Sequence, residues 1–271
     1  MTDAEMRCSM KDKTDKTIKS DTCLSYMKNM TWKEYASRPE DILIIPIGST
    51  EQHGPHLPLC VDTVLAEEFS LRIADQIHGV VAPALNYGYK SKPFSGGGPL
   101  FPGTIDLNGL TLQLLIQDLI DEFVRDGFHR ILLFNAHYEN EPFIVEAMDL
   151  CSGKYGKQLR LWCTNWWDPL TNDVIDQVFD EVPFPGWALE HAAITETSLM
   201  MYFKPELVRY PLPAPAEPAK PAFCYKYPVE PGDIPSTGVL STAASSSAAK
   251  GKLIADHAIK NIVNYLEEKK E

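Results

Sequence analysis

The sequence predicts an α/β fold in which a mainly parallel sheet is covered by helices on both faces. Short apolar runs of strand length alternate along the chain with longer segments of helical periodicity. Parallel strands need crossover connections, and helices between consecutive strands supply them. The chain has 271 residues, of which 44% are hydrophobic, so it can bury a large core.

Four apolar runs are predicted strands, and the first of them ends at a Gly-Ser turn. Short runs with few polar residues are typical of strands that are buried on both faces of a sheet. The predicted strands are residues 41–48, 80–85, 130–135 and 159–165. Ligands of such sheets bind beyond the carboxyl ends of the strands, so the residues that follow each strand are the functional candidates.

Five segments have the periodicity of helices. In the first, apolar residues from Leu65 to Ile77 repeat at helical spacing, and Asp62 is the predicted N-cap. The second ends at Gly127, a residue type that commonly terminates helices. The predicted helices are residues 63–77, 107–127, 141–155, 195–203 and 243–269.

Two stretches interrupt this alternation. Residues 87–104 form a long loop rich in glycine and proline, and long loops in compact domains are often functional. Residues 211–235 contain eight prolines, which predicts an extended ordered arm or a tether. Residues 1–23 are polar and aperiodic, so we expect a mobile N-terminal extension, followed by a single domain over residues 24–271.

The composition excludes several classes of function. The chain carries 25 basic and 37 acidic residues, a net charge of −12, which argues against a nucleic-acid partner. It contains no apolar run long enough to predict a membrane-spanning helix. Its six cysteines form no CxxC pair, and its N-terminal segment lacks the apolar stretch of a secretory signal, so the expected location is the cytoplasm.

Two predicted strands are each followed by a glutamate and a histidine that are separated by one residue. Glu51 and His53 follow the first strand, and His137 and Glu139 follow the third. Residues i and i+2 of an extended chain point the same way, so each pair can direct both groups into one crevice. Asp62 follows His53 at the start of a predicted helix. These ligand types suit a divalent ion such as Zn²⁺ or Mn²⁺.

The charges of this constellation favour two metal ions. Glu51, Asp62 and Glu139 supply three negative charges and a bridging hydroxide a fourth, which two divalent cations neutralise. Asp62 has no paired histidine and is the expected bridge. Each residue alone also has a structural interpretation, as a helix-entry charge, a helix cap or a hydrogen-bonded loop residue. Only the joint pattern predicts a metal site.

The sequence resembles the creatininase family from about Met30 to its C-terminus. The segments that carry the resemblance are GSTEQHGPHLPLCVD (48–62), YGYKS (87–91), SGGGPLFPGT (95–104), NAHYENEPFIVEA (135–147), NWWD (165–168) and GWALEHAAITETSLM (186–200). The resemblance implies a three-layer α/β/α sandwich, two divalent metal ions per subunit and a homohexamer. It also implies an amidohydrolase that opens the lactam ring of creatinine to give creatine.

The resemblance further assigns individual residues. The residues that resemble the ligands of one ion are Glu51, Asp62 and His137, and those of the other are His53, Asp62 and Glu139. The residues that match positions lining or closing over the substrate are Ser95, Tyr138, Trp167 and Trp187, and Glu190 stands beside His191, which matches the proton carrier.

The expected reaction is the attack of a metal-bridging hydroxide on the lactam carbonyl. Glu139 can accept the water proton as well as bind metal, and His191 can protonate the leaving ring nitrogen. Trp167 and Trp187 are the expected walls for a planar ring, with core packing as the alternative, whereas Trp166 is expected in the core. The roles open to Glu196 are orienting His191, capping a helix or lying at the surface.

Two other functions remain open at the level of the sequence. One is a different activity of the same family, on a formamide or another small cyclic amide. The other is a metal-binding subunit without catalytic activity, against which the expected aromatic pocket and His191 both argue.

Overall fold

Four parallel strands form the central sheet of the described part of the chain. The computed structural model describes residues 25–92, 96–214, 219–220 and 223–269, so the expected extension over residues 1–23 lies outside the described residues. The strands run in the order β2-β1-β3-β4 across the sheet and span Leu43–Ile47 (β1), Val80–Val81 (β2), Arg130–Asn135 (β3) and Arg160–Asn165 (β4).

Alternate residues of the strands enter two separate cores, because successive side chains of a strand point to opposite faces of the sheet. On β1, Leu43 and Ile45 belong to one core, and Ile44 belongs to the other. On β3, Leu133 belongs to the same core as Leu43 and Ile45, and Leu132 belongs to the same core as Ile44. The sheet is therefore buried on both faces, as the apolar runs predicted.

Helices cover both faces of this sheet and complete a three-layer α/β/α sandwich. They span Trp32–Ala36 (α1), Val61–Ile77 (α2), Gly109–Arg125 (α3), Glu141–Tyr155 (α4), Asn172–Val178 (α5), Ile194–Phe203 (α6) and Ala248–Glu268 (α7). Helices α3 and α4 line one core, and α2, α5, α6 and α7 line the other. None of the described helices is long and apolar enough to cross a membrane.

Strand β2 is shorter than its apolar run. Only Val80 and Val81 pair with β1, because Pro83 follows and has no N–H to continue the ladder. Leu85 then returns to the sheet edge as an isolated bridge to Ile47. The predicted strand 80–85 is thus a two-residue strand followed by an irregular segment.

Four of the five predicted helix starts differ from the observed ones, and those of α2 and α7 have a clear structural reason. Helix α2 begins at Val61 with Cys60 as its N-cap, so the predicted cap, Asp62, lies inside the first turn and directs its carboxylate elsewhere. Helix α7 begins at Ala248 rather than at residue 243, because the side chain of Ser247 accepts a hydrogen bond from the first turn.

A close approach between the end of β1 and the start of α2 sets the position of the site. A Cβ atom on Gly48 would lie 2.5 Å from backbone atoms of Thr63, so this approach requires glycine. Strands β1 and β3 pair Ile47 with Asn135 at their carboxyl ends. The loops that follow both strands therefore meet the first turn of α2, which carries Asp62.

Candidate active site and metal centre

Two carboxylates and two imidazoles meet at the carboxyl ends of β1 and β3. The Nδ1 atom of His137 lies 3.1 Å from Glu51 Oε1 and 3.1 Å from Asp62 Oδ2. The Nε2 atom of His53 lies 3.1 Å from Asp62 Oδ1. Asp62 thus presents one oxygen to each imidazole, so it lies in the middle of the cluster. All four side chains are buried.

A third carboxylate, that of Glu196 in the first turn of α6, completes the cluster. Its Oε2 atom lies 3.6 Å from His53 Nε2 and accepts a 2.6 Å hydrogen bond from the N–H of Ala192. The donor atoms that lie close enough to share an ion include two groups centred on Asp62. These groups are Glu51, Asp62 and His137, and His53, Asp62 and Glu196.

Glu139 lies outside these two groups, although the sequence prediction placed it in the second. Its Oε2 atom is 3.5 Å from His137 Nε2, the ring nitrogen that faces away from Asp62. The i, i+2 rule fails here because the chain is extended only at His137 and then turns into a 3-10 helix over Tyr138–Asn140. Glu139 is nevertheless buried and lines the cavity beside the cluster.

Backbone carbonyls orient both imidazoles of the cluster. His53 Nδ1 lies 3.2 Å from the carbonyl oxygen of Glu51, and His137 Nε2 lies 3.0 Å from that of Tyr89. A carbonyl oxygen only accepts, so the N–H group is on these outer nitrogens and the inner nitrogens direct lone pairs at the carboxylates. Histidines that bind metal ions are held in this way.

Buried polar atoms without partners show that the residues present fit metal ions. Glu51 Oε2, His53 Nε2 and Asp62 Oδ2 have no hydrogen-bond partner among the described residues. Burial opposes a charged imidazole, yet Asp62 and Glu196 outweigh it and raise the pKa of His53 well above its ordinary value. The raised pKa reflects an excess of negative charge. Divalent cations would neutralise that charge and satisfy the three orphaned atoms.

His191 lies against the cluster on the side of Glu51. Its Nε2 atom lies 2.8 Å from the carbonyl oxygen of Gln52, and its Nδ1 atom lies 3.7 Å from Glu51 Oε1. The side-chain nitrogen of Gln52 also lies 2.9 Å from His191 Nε2, but its two hydrogens are directed at the carbonyl oxygens of Gly96 and Gly238. The N–H of His191 is therefore on Nε2 and faces the Gln52 carbonyl. Nδ1 is consequently the nitrogen that can take up or release a proton on the cluster side.

Glu190 is a second buried carboxyl group beside His191. Its Oε2 atom accepts hydrogen bonds from the N–H and the hydroxyl of Thr195, at 3.0 and 2.7 Å, and so caps the start of α6. Its Oε1 atom has no hydrogen-bond partner among the described residues. Burial raises the pKa of Glu190 to about 8, against the opposing effect of Thr195. The residue lines the same cavity as the cluster.

Aromatic side chains wall this cavity. The rings of Trp167 and Tyr138 are 6.0 Å apart, and those of Trp166 and Trp187 are 5.7 Å apart. Trp166 is packed in the core, as predicted, and so is Trp167, and both also line the cavity. Tyr138 is half-exposed at the cavity mouth. Ser95, the remaining predicted substrate residue, lies outside the described residues.

Glu196 is the residue whose place in the cluster the sequence prediction missed. The available signal was its position in the first turn of a predicted helix, five residues after His191. Helix α6 does not follow a strand directly, so the alternation of strands and helices did not indicate that its first turn lies at this edge of the sheet. An acidic residue there is a candidate ligand as well as a helix cap.

The fold and the site define an α/β protein with a buried histidine–carboxylate centre that fits divalent metal ions. The family profile described as creatinine amidohydrolase matches residues 28–266. The chain therefore belongs to the creatininase family.

Sequence and structure comparisons agree on this family. The creatinine amidohydrolase of Pseudomonas putida is 38% identical over 251 residues, which cover 90% of this chain and 96% of that protein. A mutant creatininase complexed with creatine superposes with a TM-score of 0.87 at 37% identity, covering 91% of this chain and 98% of that one. A creatininase structure with Mn has a TM-score of 0.87 at 37% identity, with coverage of 90% and 98%. A mutant creatininase of Zn-Zn type gives 0.86 at 38% identity, with the same coverage.

Proposed function

We propose that this protein is a metal-dependent amidohydrolase that opens the lactam ring of creatinine to give creatine. The observation that carries the proposal is the buried cluster of Glu51, His53, Asp62, His137 and Glu196, set in an aromatic cavity with His191 beside it. The relationship to the creatinine amidohydrolase of Pseudomonas putida supports the choice of substrate.

The cluster would hold two divalent ions, Zn²⁺ or Mn²⁺, with Asp62 between them. Glu51 and His137 would complete one ligand set, and His53 and Glu196 the other. With Glu196 in place of Glu139, the ligand set still contributes three negative charges, so the charge balance that favours two ions is unchanged among the ligands. Bound ions would lower the pKa of a water molecule and polarise the carbonyl of the substrate.

The cavity walls suit a small planar substrate. Trp167 and Trp187 line the cavity, and flat aromatic faces attract a guanidine-like ring by stacking and cation–π contact. Tyr138 stands at the mouth of the cavity, and Ser95 is proposed from the sequence alone. The unpartnered Oε1 atom of Glu190 supplies a buried acceptor for an N–H group of the substrate.

Two side chains would transfer the protons. Hydrolysis adds water to the carbonyl carbon and breaks the bond to the ring nitrogen, so one proton must move from water to that nitrogen. Glu139, buried beside the cluster, would accept the proton from water. His191 would deliver a proton from Nδ1 to the ring nitrogen, because its Nε2–H is held by the Gln52 carbonyl. The proton taken up by Glu139 would then restore His191, so that the pair moves one proton from water to the ring nitrogen in each turnover.

We further propose a cytoplasmic homohexamer that binds neither nucleic acid nor membranes. The thiols of Cys60, Cys151, Cys163 and Cys224 are unpaired, which fits a reducing compartment. Six chains of 30.4 kDa would give a particle of 182 kDa, which light scattering of the purified protein can measure.

The test is the formation of creatine from creatinine by the purified protein, before chelation, after chelation and after return of Zn²⁺ or Mn²⁺. Creatine formation that depends on metal supports the proposal. Hydrolysis of an N-formyl compound but not of creatinine would favour the alternative within the family, a formamide hydrolase. Two bound ions without hydrolysis of any amide would indicate a subunit that is not catalytic.

A His191→Asn variant tests the proton-transfer step. It should keep the metal content of the wild-type protein and lose turnover by about 100-fold or more, which is the usual size of an acid–base contribution. Metal content and kcat are measured on the same preparation. Turnover equal to that of the wild-type protein removes His191 from the mechanism.

A further inference from the structure

Gln52 lies between two residues of the metal cluster, and its side-chain amide joins three separate segments of the chain. Its Nε2 atom donates to the carbonyl oxygens of Gly96, at 2.8 Å, and Gly238, at 2.9 Å. Its Oε1 atom accepts from the N–H of Gly54, at 2.8 Å. The side chain is buried, and these carbonyls occupy both hydrogens of its amide. The same amide nitrogen lies 2.9 Å from Nε2 of His191.

The backbone of Gln52 makes two further contacts. Its carbonyl oxygen accepts the N–H of His191 Nε2 at 2.8 Å, and its N–H donates to the Thr104 hydroxyl at 3.2 Å. The segment that contains Gly238 returns to His191 as well, because Leu240 donates its N–H to the His191 carbonyl at 3.3 Å. The ring of His191 is thus held within a closed set of hydrogen bonds that passes through Gln52.

Gly238 fits closely against the Gln52 side chain. A Cβ atom at this position would lie 2.0 Å from Gln52 Oε1, and the backbone there has a φ of +71°. Either observation favours glycine, and together they show that residue 238 approaches the amide as closely as a backbone can. The contact is therefore specific to this pair of residues.

We propose that Gln52 is a positioning residue, whose side-chain amide ties Gly96 and Gly238 together and thereby fixes the ring of His191 for proton transfer. It does not touch the reacting atoms. Its effect passes through the two loops that it joins and through the 2.9 Å contact between its amide nitrogen and His191 Nε2. The catalytic part of this proposal rests on the function proposed above. A displacement of about 1 Å in a catalytic group can lower a rate by about 100-fold. Loss of the hydrogen bonds from Gln52 to Gly96 and Gly238 should therefore lower turnover.

The test compares Gln52→Met, which keeps the length of the side chain and removes its hydrogen bonds, with Gln117→Met. Gln117 donates one hydrogen bond to a carbonyl within α3 and lines no part of the cavity, so it controls for the chemical change. Gln52→Met should keep its metal content, lose about 10- to 100-fold in kcat and change KM by less than about 3-fold. Gln117→Met should match the wild-type protein.

Amide hydrogen exchange supplies a measurement that needs no substrate. Residues 96–98 and 238–240 should exchange faster in Gln52→Met than in the wild-type protein and in Gln117→Met. The exchange measurement remains valid even when the wild-type protein does not hydrolyse creatinine. Failure of the proposed function is therefore distinguishable from failure of the proposed role of Gln52.

A double-mutant cycle with Gly238→Ala tests whether the two residues act as one contact. The alanine pushes the Gln52 side chain out of position. The double variant should therefore have a kcat only slightly lower than that of Gly238→Ala alone. Additive losses would overturn the proposal. It is also overturned by loss of metal in Gln52→Met, by a change in KM alone, or by unchanged exchange in both loops.

Discussion

At the scale of residues, the same i, i+2 spacing leads to two different arrangements. Glu51 and His53 enter the cluster as their i, i+2 spacing predicted, but Glu139 does not join His137 there. The rule holds only while the chain stays extended, and a 3-10 turn begins directly after His137. The sequence shows which donor types are present, but it cannot show which distant carboxylate completes a group.

A pair of substitutions separates the two glutamates. Glu196→Gln should lose one of two bound ions, because it removes an anionic ligand from the His53 group. Glu139→Gln should retain both ions at saturating metal and lose turnover, because it removes only the proposed proton acceptor. Metal analysis of the two variants beside the wild-type protein shows which of the two glutamates is a metal ligand. Loss of an ion from Glu139→Gln alone would restore the ligand set predicted from the sequence.

At the scale of elements, boundaries were predictable where the chain carries a clear stop. Helix α4 spans residues 141–155, as predicted, because Gly156 follows it with a φ of +58°. The run at residues 80–85 looked like a full strand, although only its first two residues pair. Periodicity identifies an element, but the length of a strand also depends on the partner that it meets.

Two helical glycines should respond in opposite ways to alanine. In α7, a Cβ atom on Gly251 would lie 1.9 Å from the carbonyl oxygen of Ser198 in α6, whereas a Cβ atom on Gly153 in α4 meets nothing within 4 Å. Gly251→Ala should lower the free energy of unfolding by about 1–3 kcal/mol through overpacking. Gly153→Ala should raise it by about 0.5–1 kcal/mol.

Urea unfolding of both variants and the wild-type protein measures these changes. Both variants replace a helical glycine with alanine. The difference between their free energies of unfolding therefore isolates the contact between α6 and α7. Equal effects of the two alanines would show that α7 does not pack on α6 at this distance.

At the scale of the whole molecule, the alternation of strands and helices was enough to predict the α/β class and the side of the sheet that carries the site. The same pattern could not predict that Gly238 contacts Gln52, because these residues are 186 positions apart and Gly238 lies outside the helices and strands. Family resemblance supplied the three-layer arrangement, which the described residues confirm.

Removal of metal should destabilise the whole domain, because ions that bind only the folded state stabilise it. At a metal concentration about 1,000-fold above Kd the stabilisation is about 4 kcal/mol, which corresponds to roughly 10 °C in Tm for a chain of this size. Calorimetry before and after chelation, with Zn²⁺ returned, measures the shift. Glu196→Gln should show a smaller shift than the wild-type protein, and an unchanged Tm would argue against buried ions.

The cluster joins residues that are far apart along the chain, and this has a consequence for biosynthesis. Glu51 and Glu196 are separated by 145 positions. A ribosome releases the first glutamate long before it translates the second, so a nascent polypeptide cannot present the complete set of donors. Metallation of the intact centre must then await emergence of α6, and premature termination ahead of that helix yields a product that can assemble at most one of the two ligand groups.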